Sequence, residues 1–247
     1  MCNLESVFGT NKALISYFTC GDPNPELTKK AALAAVQAGA DVIALGVPFS
    51  DPTAVDPVIQ ESNIRALANG ATPAMVFSVA AGLCETVPVV LFTYANVVYS
   101  IGVENFAKKC RDNGVSGVVI HDVPLEERGA FSQVFESYGV CVISTVSPSV
   151  PERIAQIAVQ AKGFLYVITD AKTTQAQLQN AVEIIKLHTA IPCVVGCGVA
   201  DSAPIEDFCR YADGAVLDYE LVYIMGSGAS QDAVAQYIGK IDKLLNA

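Results

Sequence analysis

The alternation of apolar runs with helical periods constrains this chain more than any other feature of its sequence. Eight apolar, β-branched runs alternate with eight segments whose apolar residues recur at helical spacing. The runs predict strands at Ala13–Thr19, Asp41–Val47, Val87–Tyr94, Gly117–Ile120, Val140–Val146, Gly163–Thr169, Ile191–Gly198 and Asp213–Asp218. The helical periods lie at about Glu26–Ala38, Pro73–Glu85, Val103–Asn113, Leu125–Ser137, Pro151–Gln160, Gln175–His188, Ala203–Tyr211 and Gln231–Leu245.

This order predicts an α/β protein, namely a closed (β/α)8 TIM barrel. Glycine follows several helices and leads into the next strand, as at Gly39, Gly114 and Gly139, which is typical of a short joint after a helix. The strands are nearly continuous apolar runs, and this favours a parallel sheet covered on both faces. Eight strand–helix units without a GxGxxG or P-loop motif favour the barrel over an open, doubly wound sheet. No linker interrupts the pattern, so we expect one domain over residues 1–247.

Composition and charge exclude several classes of function. Hydrophobic residues make up 52% of the chain and charged residues 16%, which predicts a large core without disorder. The net charge of −10 argues against a nucleic-acid partner, which would need clustered Lys and Arg. No run of 18 apolar residues and no secretory leader is visible, so we expect neither a membrane partner nor export.

The cysteines and histidines do not form a metal-binding pattern. The eight cysteines are scattered without a CxxC pair, and there are only two histidines. Structural zinc needs paired ligands at close spacing, so no metal is expected. We interpret the cysteines as reduced thiols packed in the core of a cytoplasmic protein.

The functional residues of a TIM barrel lie at the carboxyl ends of its strands. The loop after the second run is the most distinctive, because Leu45-Gly46-Val47-Pro48-Phe49-Ser50-Asp51-Pro52 breaks an apolar strand with prolines and an aspartate. Four further pieces stand at or near strand ends: Phe18-Thr19-Cys20-Gly21-Asp22-Pro23, Pro57-Val58-Ile59-Gln60, Thr93-Tyr94-Ala95-Asn96 and His121-Asp122-Val123-Pro124-Leu125-Glu126-Glu127.

In this order, these pieces resemble the tryptophan synthase alpha-subunit family, and the resemblance runs essentially from end to end. It implies a (β/α)8 barrel that cleaves indole-3-glycerol phosphate to indole and glyceraldehyde 3-phosphate. This lyase reaction is a retro-aldol cleavage in which two carboxylates move protons, and it needs no cofactor. The resemblance also implies a partner, a β subunit that uses pyridoxal phosphate and receives the indole.

The chain departs from the family at both acid–base positions. Where the resemblance implies a catalytic Glu, two residues before the Gly of the LGxPFSDP motif, this chain has Ala44. The second carboxylate position is Val55, and the next residue, usually Gly, is Asp56. Each general acid or base is worth roughly 10²–10⁴-fold in rate, so these changes predict weak or lost lyase activity.

The phosphate site implied by the resemblance is also altered. Gly196-Cys197-Gly198 retains the family's GxG after the seventh strand. The loop after the sixth strand lacks the family's glycines and carries Lys172, and the Gly-Ser that opens a later helix is replaced by Asp218-Tyr219. A carboxylate within a few ångströms of a phosphate costs about 1–4 kcal/mol, so phosphate binding should be weakened.

Four residues are candidates for catalysis, and each has a structural alternative. Asp56 is either a displaced base or a turn residue before Pro57, and Asp218 is either a new base or a helix N-cap. Asp122 either helps to position the catalytic loop or caps a helix. His121 is either a general base or a hydrogen-bonded residue at a strand end.

The substrate-binding predictions combine aromatic, small and loop residues. Lys172 is a Schiff-base candidate only if buried, and otherwise a solvated loop lysine. The predicted set is Phe18, Ala44, Val55, Tyr94, Thr145, Tyr166, Lys172, Gly196, Gly198 and Tyr219.

Three functions follow from these observations. The first is the family lyase with weak or lost activity. The second is a remodelled or engineered barrel in which Asp56 or Asp218 catalyses proton transfer on an uncharged, indole-like aromatic substrate. The third is a non-catalytic partner that activates a β subunit.

Overall fold

Nine parallel strands form the sheet of the computed structural model, which describes residues 4–53, 55–170, 172–197, 205, 209–228 and 230–246. The strands are β1 (Ala13–Thr19), β2 (Val42–Gly46), β3 (Val89–Thr93), β4 (Gly117–Ile120), β5 (Cys141–Val142), β6 (Ser144–Val146), β7 (Leu165–Val167), β8 (Cys193–Gly196) and β9 (Gly214–Leu217). Their order in the sheet is β5-β4-β3-β2-β1-β9-β8-β7-β6.

The predicted fifth strand closes this sheet into a barrel. It is divided at Ile143, and its two pieces, β5 and β6, stand at opposite ends of the strand order. β5 pairs with β4, the Ile143 N–H donates to the Val118 carbonyl at 2.8 Å, and β6 pairs with β7. The ring therefore closes through consecutive residues of one strand, which confirms the predicted barrel.

Helices surround the sheet. They are α1 (Pro25–Gln37), α2 (Pro57–Ala68), α3 (Pro73–Cys84), α4 (Ala95–Ile101), α5 (Val103–Asp112), α6 (Leu125–Ser137), α7 (Pro151–Ala158), α8 (Gln175–His188), α9 (Tyr219–Gly226) and α10 (Gln231–Leu245), preceded by a 3₁₀ turn at Glu5–Val7. α2 and α4 were not predicted, and most of the helix predicted at Ala203–Tyr211 lies outside the described residues.

Strand alternation divides the core into two layers. In β1, Ile15 and Tyr17 point into the barrel, where they pack with Ala44 of β2. Leu14 and Phe18 point outward and pack beneath the helices. All seven residues of β1 are buried, so the strand has no solvent face, as expected for a parallel barrel strand.

The prediction of reduced cysteines is wrong for Cys141, which is disulfide-bonded. The other six cysteines of the described chain are free thiols, buried or half-buried. Sequence spacing gave no sign of this bond, because disulfide pairing is set by the three-dimensional approach of two strands or loops.

By length and composition, no single helix among the described residues would cross a bilayer. The one combination that meets both criteria is the pair α2 and α3, whose axes are bent by 105°.

Candidate active site

A cavity of about 190 Å³ opens at the carboxyl ends of the strands. Its described lining combines aromatic rings, small apolar and polar groups, and two aspartates: Tyr17, Val47, Thr53, Val55, Asp56, Ile59, Asn63, Phe92, Tyr94, His121, Tyr166, Ile168, Thr169, Gly196 and Asp218. The cavity lies on the face where TIM barrels place their ligands.

The first strand contributes Tyr17 to this cavity, not Phe18. The prediction for Phe18 is wrong, because successive side chains of a strand point to opposite faces and Phe18 packs in the outer layer. Tyr17 lies on the inner face, with its ring centroid 5.6 Å from that of Phe92. Sequence reasoning missed both residues, since neither belongs to a polar strand-end motif.

Two tyrosines fit over glycines of the neighbouring strands. A Cβ at Gly46 of β2 would collide with the Tyr17 hydroxyl, and a Cβ at Gly196 of β8 would lie 3.0 Å from the Tyr166 hydroxyl. Gly46 and Gly196 therefore supply the space that lets these large rings enter the barrel mouth. Tyr166 was predicted to line the pocket, and both it and Gly196 do so.

The two family acid–base positions carry no proton-transfer group. Ala44 is fully buried in the inner layer, paired in register with Tyr17 and Val90, and it does not line the cavity. Val55 does line the cavity, as predicted. An alanine methyl and a valine side chain can neither donate nor accept a proton.

Asp56 lines the cavity and also begins α2. Its carboxylate accepts the Val58 N–H at 2.9 Å, and Pro57 follows at the first helical position. The structural alternative for Asp56 is thus present, and the residue also lines the cavity.

His121 and Asp122 have different roles. His121 lines the cavity, with its ring centroid 5.4 Å from Phe92 and 5.6 Å from Tyr94. Burial lowers the pKa of His121 to about 4, which leaves the imidazole neutral at pH 7. Asp122 does not line the cavity; it is exposed, and its carboxylate accepts the Ala95 N–H at 2.7 Å at the start of α4.

Asp218 is the most perturbed carboxyl group of the cavity. It is half-buried and surrounded by protein atoms, and its carboxylate accepts the Tyr219 N–H at 2.7 Å. The pKa of Asp218 is raised from 3.8 to about 6, mainly by desolvation and to a lesser extent by the nearby Asp56, while its backbone hydrogen bonds act in the opposite direction. Tyr219, the first residue of α9, is half-buried and does not line the cavity, which corrects its predicted role.

The predicted residues Thr145, in β6, and Lys172, in the loop after β7, do not line the main cavity. Thr145 lines a neighbouring cavity of about 410 Å³. Lys172 is exposed, with its backbone N–H donating to the Asp170 carboxylate at 2.9 Å, so the structure does not support a Schiff-base role. Thr169 donates to the Gly196 carbonyl at 2.6 Å and joins the ends of β7 and β8. Gly198 lies outside the described residues.

Polar contacts join α2 to the loop after β2 and to the loop after β1. The Asn63 side chain accepts the Phe49 N–H at 3.0 Å and donates to the Ile59 carbonyl at 2.7 Å. Two residues further along α2, Arg65 forms two hydrogen bonds of 2.9 and 2.7 Å with the carboxylate of Asp22, which is 2% exposed. The Asp22 loop and α2 are therefore fixed to each other beside the cavity.

A closed parallel barrel with a ligand cavity at its carboxyl face defines a TIM-barrel protein with its site in the usual place. The family is equally plain: the tryptophan synthase alpha chain model matches residues 7–244, so this chain belongs to the tryptophan synthase alpha chain family.

Individual relatives agree with this assignment. The alpha chain of Lactiplantibacillus plantarum is 35% identical over 243 residues, covering 95% of this chain and 92% of its own. The alpha chain of Lachnospira eligens is 36% identical, and the match covers 96% of this chain and 94% of the relative. The solved alpha subunit of Legionella pneumophila superimposes with a TM-score of 0.90 at 28% identity, with 99% and 98% covered. The resemblance inferred from the sequence motifs is thereby confirmed.

Proposed function

We propose that retro-aldol cleavage of indole-3-glycerol phosphate is weak or lost in this family member, and that its mouth binds an indole-like aromatic molecule without a phosphate group. The proposal is carried by Asp218, whose carboxylate lines the cavity at the strand end where the family resemblance implies a phosphate cradle.

The acid–base argument concerns the protons of the family reaction. Ala44 and Val55 stand at the two carboxylate positions, and the cavity carboxylates of the described chain come from Asp56 and Asp218 instead. Asp56 is tied to the Val58 N–H as a helix cap. Loss of two groups that each contribute roughly 10²–10⁴-fold leaves little catalysis of this reaction.

The electrostatic argument concerns the phosphate. Two aspartates line the cavity, and none of its described lining residues is Lys or Arg. Repulsion between a phosphate and a carboxylate a few ångströms away costs about 1–4 kcal/mol for each charge pair. Phosphate-bearing substrates are therefore disfavoured, while the rings of Phe92, Tyr94 and Tyr166 still offer an aromatic binding surface.

Turnover of indole-3-glycerol phosphate tests this proposal directly. We expect a rate below about 1% of that of the L. plantarum alpha chain assayed in parallel, since two general acid–base groups are replaced. Graft variants separate the two causes. A44E/V55D restores the carboxylates alone, and A44E/V55D/D56G/D218G/Y219S also restores the family's glycine at position 56 and its Gly-Ser at positions 218 and 219.

We expect the variant with two substitutions to remain inactive toward indole-3-glycerol phosphate and the variant with five substitutions to gain activity. Circular dichroism checks that both variants are folded. A rate near that of the reference enzyme in the unmodified chain would contradict the proposal.

Proton transfer on an uncharged aromatic substrate is a second candidate, and Asp218 is the favoured base. Its pKa of about 6 and its place in the cavity suit a general base near neutral pH. Asp56 is less suited because its carboxylate caps α2. The expected reaction rate rises with pH through a single step near pH 6 and disappears in Asp218→Asn. A rate that is independent of Asp218 would exclude this role.

We propose in addition that the chain, as one domain in the cytoplasm, binds a pyridoxal-phosphate-dependent β subunit. Family membership supports this partner, and six free cysteines support the location, whereas the Cys141 disulfide argues against it. Titration of a β subunit with this chain should raise β-subunit turnover without any cleavage of indole-3-glycerol phosphate. The absence of both complex formation and stimulation would refute the partnership.

A further inference from the structure

We infer that the ligand of this mouth is a small aromatic amine bound in its protonated form, with its ammonium group paired to Asp218 and its ring held among the surrounding aromatic side chains. The inference rests on the proposed binding of a phosphate-free aromatic molecule and specifies the charge of that molecule.

The aromatic wall of the cavity is continuous. Phe92 stands at its centre, with ring centroids 5.6 Å from Tyr17, 5.7 Å from Tyr166 and 5.4 Å from His121. His121 in turn lies 5.6 Å from Tyr94. These separations are those of interacting aromatic rings, so five cavity-lining side chains form one surface.

The cavity volume suits a molecule with one or two rings. An apolar protein cavity of roughly 150 Å³ is large enough to bind benzene. The present cavity measures about 190 Å³, so it holds a ring with a short substituent.

The charge of the lining is negative. Asp56 and Asp218 are its acidic members, and the lining contributed by the described chain includes no Lys or Arg. His121 does not offset them at neutral pH, because burial lowers its pKa to about 4. The net charge of −10 for the whole chain further favours the approach of cations over anions.

Asp218 has no cationic partner among the described residues. The ion pairs in this part of the chain use other acids: Asp22, Glu61, Asp112, Glu126, Glu136 and Asp213. The side-chain hydrogen bond of Asp218 comes from the Tyr219 N–H. A carboxylate enclosed by protein without a counter-ion is unfavourable, and a cationic ligand would relieve that cost.

Aromatic rings and a carboxylate together select for an ammonium group. A cation near the face of a Tyr or Phe ring is attracted by about 0.5–2 kcal/mol, and the attraction grows when the site is shielded from water. A neutral molecule of equal shape would gain the ring contacts alone. An aromatic carboxylate would gain those contacts and meet two like charges.

The experiment compares three probes with the same ring on the unmodified full chain at pH 7.5. Benzylamine is cationic, benzyl alcohol is neutral and benzoate is anionic, and calorimetric titration measures each dissociation constant. We expect benzylamine to bind at least about tenfold more tightly than benzyl alcohol, and benzoate to bind most weakly. Because this comparison needs no variant, it does not depend on the folding of a mutant.

Two variants then assign the preference to one carboxylate. Asp218→Asn should remove the preference for benzylamine and leave the affinity for benzyl alcohol within about twofold. Glu220→Gln removes an acid from the same helix that does not line the cavity, and it should leave all three affinities unchanged.

The outcomes separate this inference from the proposed function. Equal binding of benzylamine and benzyl alcohol would overturn the inference and leave the proposed binding of a phosphate-free aromatic molecule in place. An unchanged preference for benzylamine in Asp218→Asn would have the same two consequences. If none of the three probes binds, both proposals fail. Tightest binding of benzoate would also overturn both, because the mouth would then favour anions.

Discussion

The loop after β2 and the loop after β9 each end in an aspartate that begins a helix and lines the same cavity. Asp56 caps α2 through the Val58 N–H, and Asp218 caps α9 through the Tyr219 N–H. Their surroundings differ. Both are half-buried, but Asp56 precedes Pro57 in a loop whose residues are half-buried or exposed, whereas Asp218 directly follows the buried strand β9 and interacts electrostatically with Tyr17, Tyr166 and Tyr237.

This difference shows that residue type and local capping do not decide the chemistry of a carboxyl group at the barrel mouth. Desolvation raises the pKa of Asp218 to about 6, although its capping hydrogen bond acts in the opposite direction. Desolvation by the protein atoms that enclose the carboxyl group therefore outweighs a favourable local contact. The same enclosure makes Asp218 the group on which our functional proposals depend.

The largest expected effect is a gain of stability in Asp218→Asn at neutral pH. The pKa of Asp218 is about 6 in the folded chain and 3.8 in the usual unfolded environment, so the folded state retains a proton that the unfolded state releases. The free energy of unfolding therefore falls as pH rises through this window, by about 3 kcal/mol in total. Urea unfolding of both proteins from pH 4.5 to 8 should show a difference that grows to this value above pH 6.

The other titrating groups that face Asp218 are shared by both proteins, so their contributions largely cancel in this difference. They are Tyr17, Asp56, His121, Tyr166, Cys197 and Tyr237. His121 acts in the opposite sense, because its lowered pKa makes the folded state more stable as pH rises from about 4. A difference between the two proteins that does not change with pH would contradict the enclosure of Asp218.

The second prediction compares the two glycines that accommodate tyrosines. Gly46→Ala places a methyl group against the Tyr17 hydroxyl, and Gly196→Ala brings one to 3.0 Å from the Tyr166 hydroxyl. Overpacking of this kind costs about 1–3 kcal/mol, so we expect about 2 kcal/mol at Gly46 and a smaller loss at Gly196. Thermal and urea unfolding measure both.

Tyr17→Phe provides the matched control, since it removes the hydroxyl that the new methyl group would meet. The double variant Gly46→Ala/Tyr17→Phe should recover part of the loss. Full additivity of the two changes would show that the Tyr17 hydroxyl is not the source of the strain.

The third prediction concerns the support of the β2 side. Arg65→Ala leaves the carboxylate of Asp22, which is 2% exposed, without its bidentate partner. The Arg65 side chain is 35% exposed, so water partly replaces it, and we expect a loss of about 1–2 kcal/mol instead of the larger cost of a fully buried pair. Arg65→Lys keeps the charge without the bidentate geometry, so it should lose less stability than Arg65→Ala. Equal losses of stability in both variants, measured by urea unfolding, would show that the paired hydrogen bonds matter more than the charge.

The smallest effect is expected at the cap of α2. Asp56→Ala removes the acceptor of the Val58 N–H and should cost about 1 kcal/mol, whereas Asp56→Asn keeps an acceptor oxygen and should cost less. Urea unfolding of the two variants distinguishes the cap from other roles. A destabilisation as large in Asp56→Asn as in Asp56→Ala would contradict it.

The fold could be predicted well because each buried strand is a local run of apolar residues. β1 was predicted with its observed bounds, since its apolar run begins after Asn11-Lys12 and ends before the Gly21-Asp22-Pro23 turn. The helix α2 was missed although Asp56-Pro57 is a standard helix start, because the family motif there suggested a loop. The break at Ile143 depends on pairing with two different strands, which no local pattern contains.

The site could be predicted only in part. Strand-end position placed Tyr94, Tyr166, Asp56, His121, Gly196 and Asp218 at the cavity, and the family resemblance added Val55. Tyr17 and Phe18 could not be told apart, because both are aromatic and only the direction of the strand pleat separates them. The raised pKa of Asp218 arises from desolvation in the folded barrel and from Asp56, which is distant in the sequence, so sequence reasoning could not predict it.

The division of the predicted fifth strand at Ile143 has a consequence for the closure of the barrel. Its first half, Cys141–Val142, pairs with β4, and its second half, Ser144–Val146, pairs with β7. Closure of the ring therefore depends on the covalent continuity of residues 142–144 and on the bond from the Ile143 N–H to the Val118 carbonyl. Because Thr145 and Val146 also border the cavity beside the mouth, the residues that close the ring contribute to the wall of that second cavity.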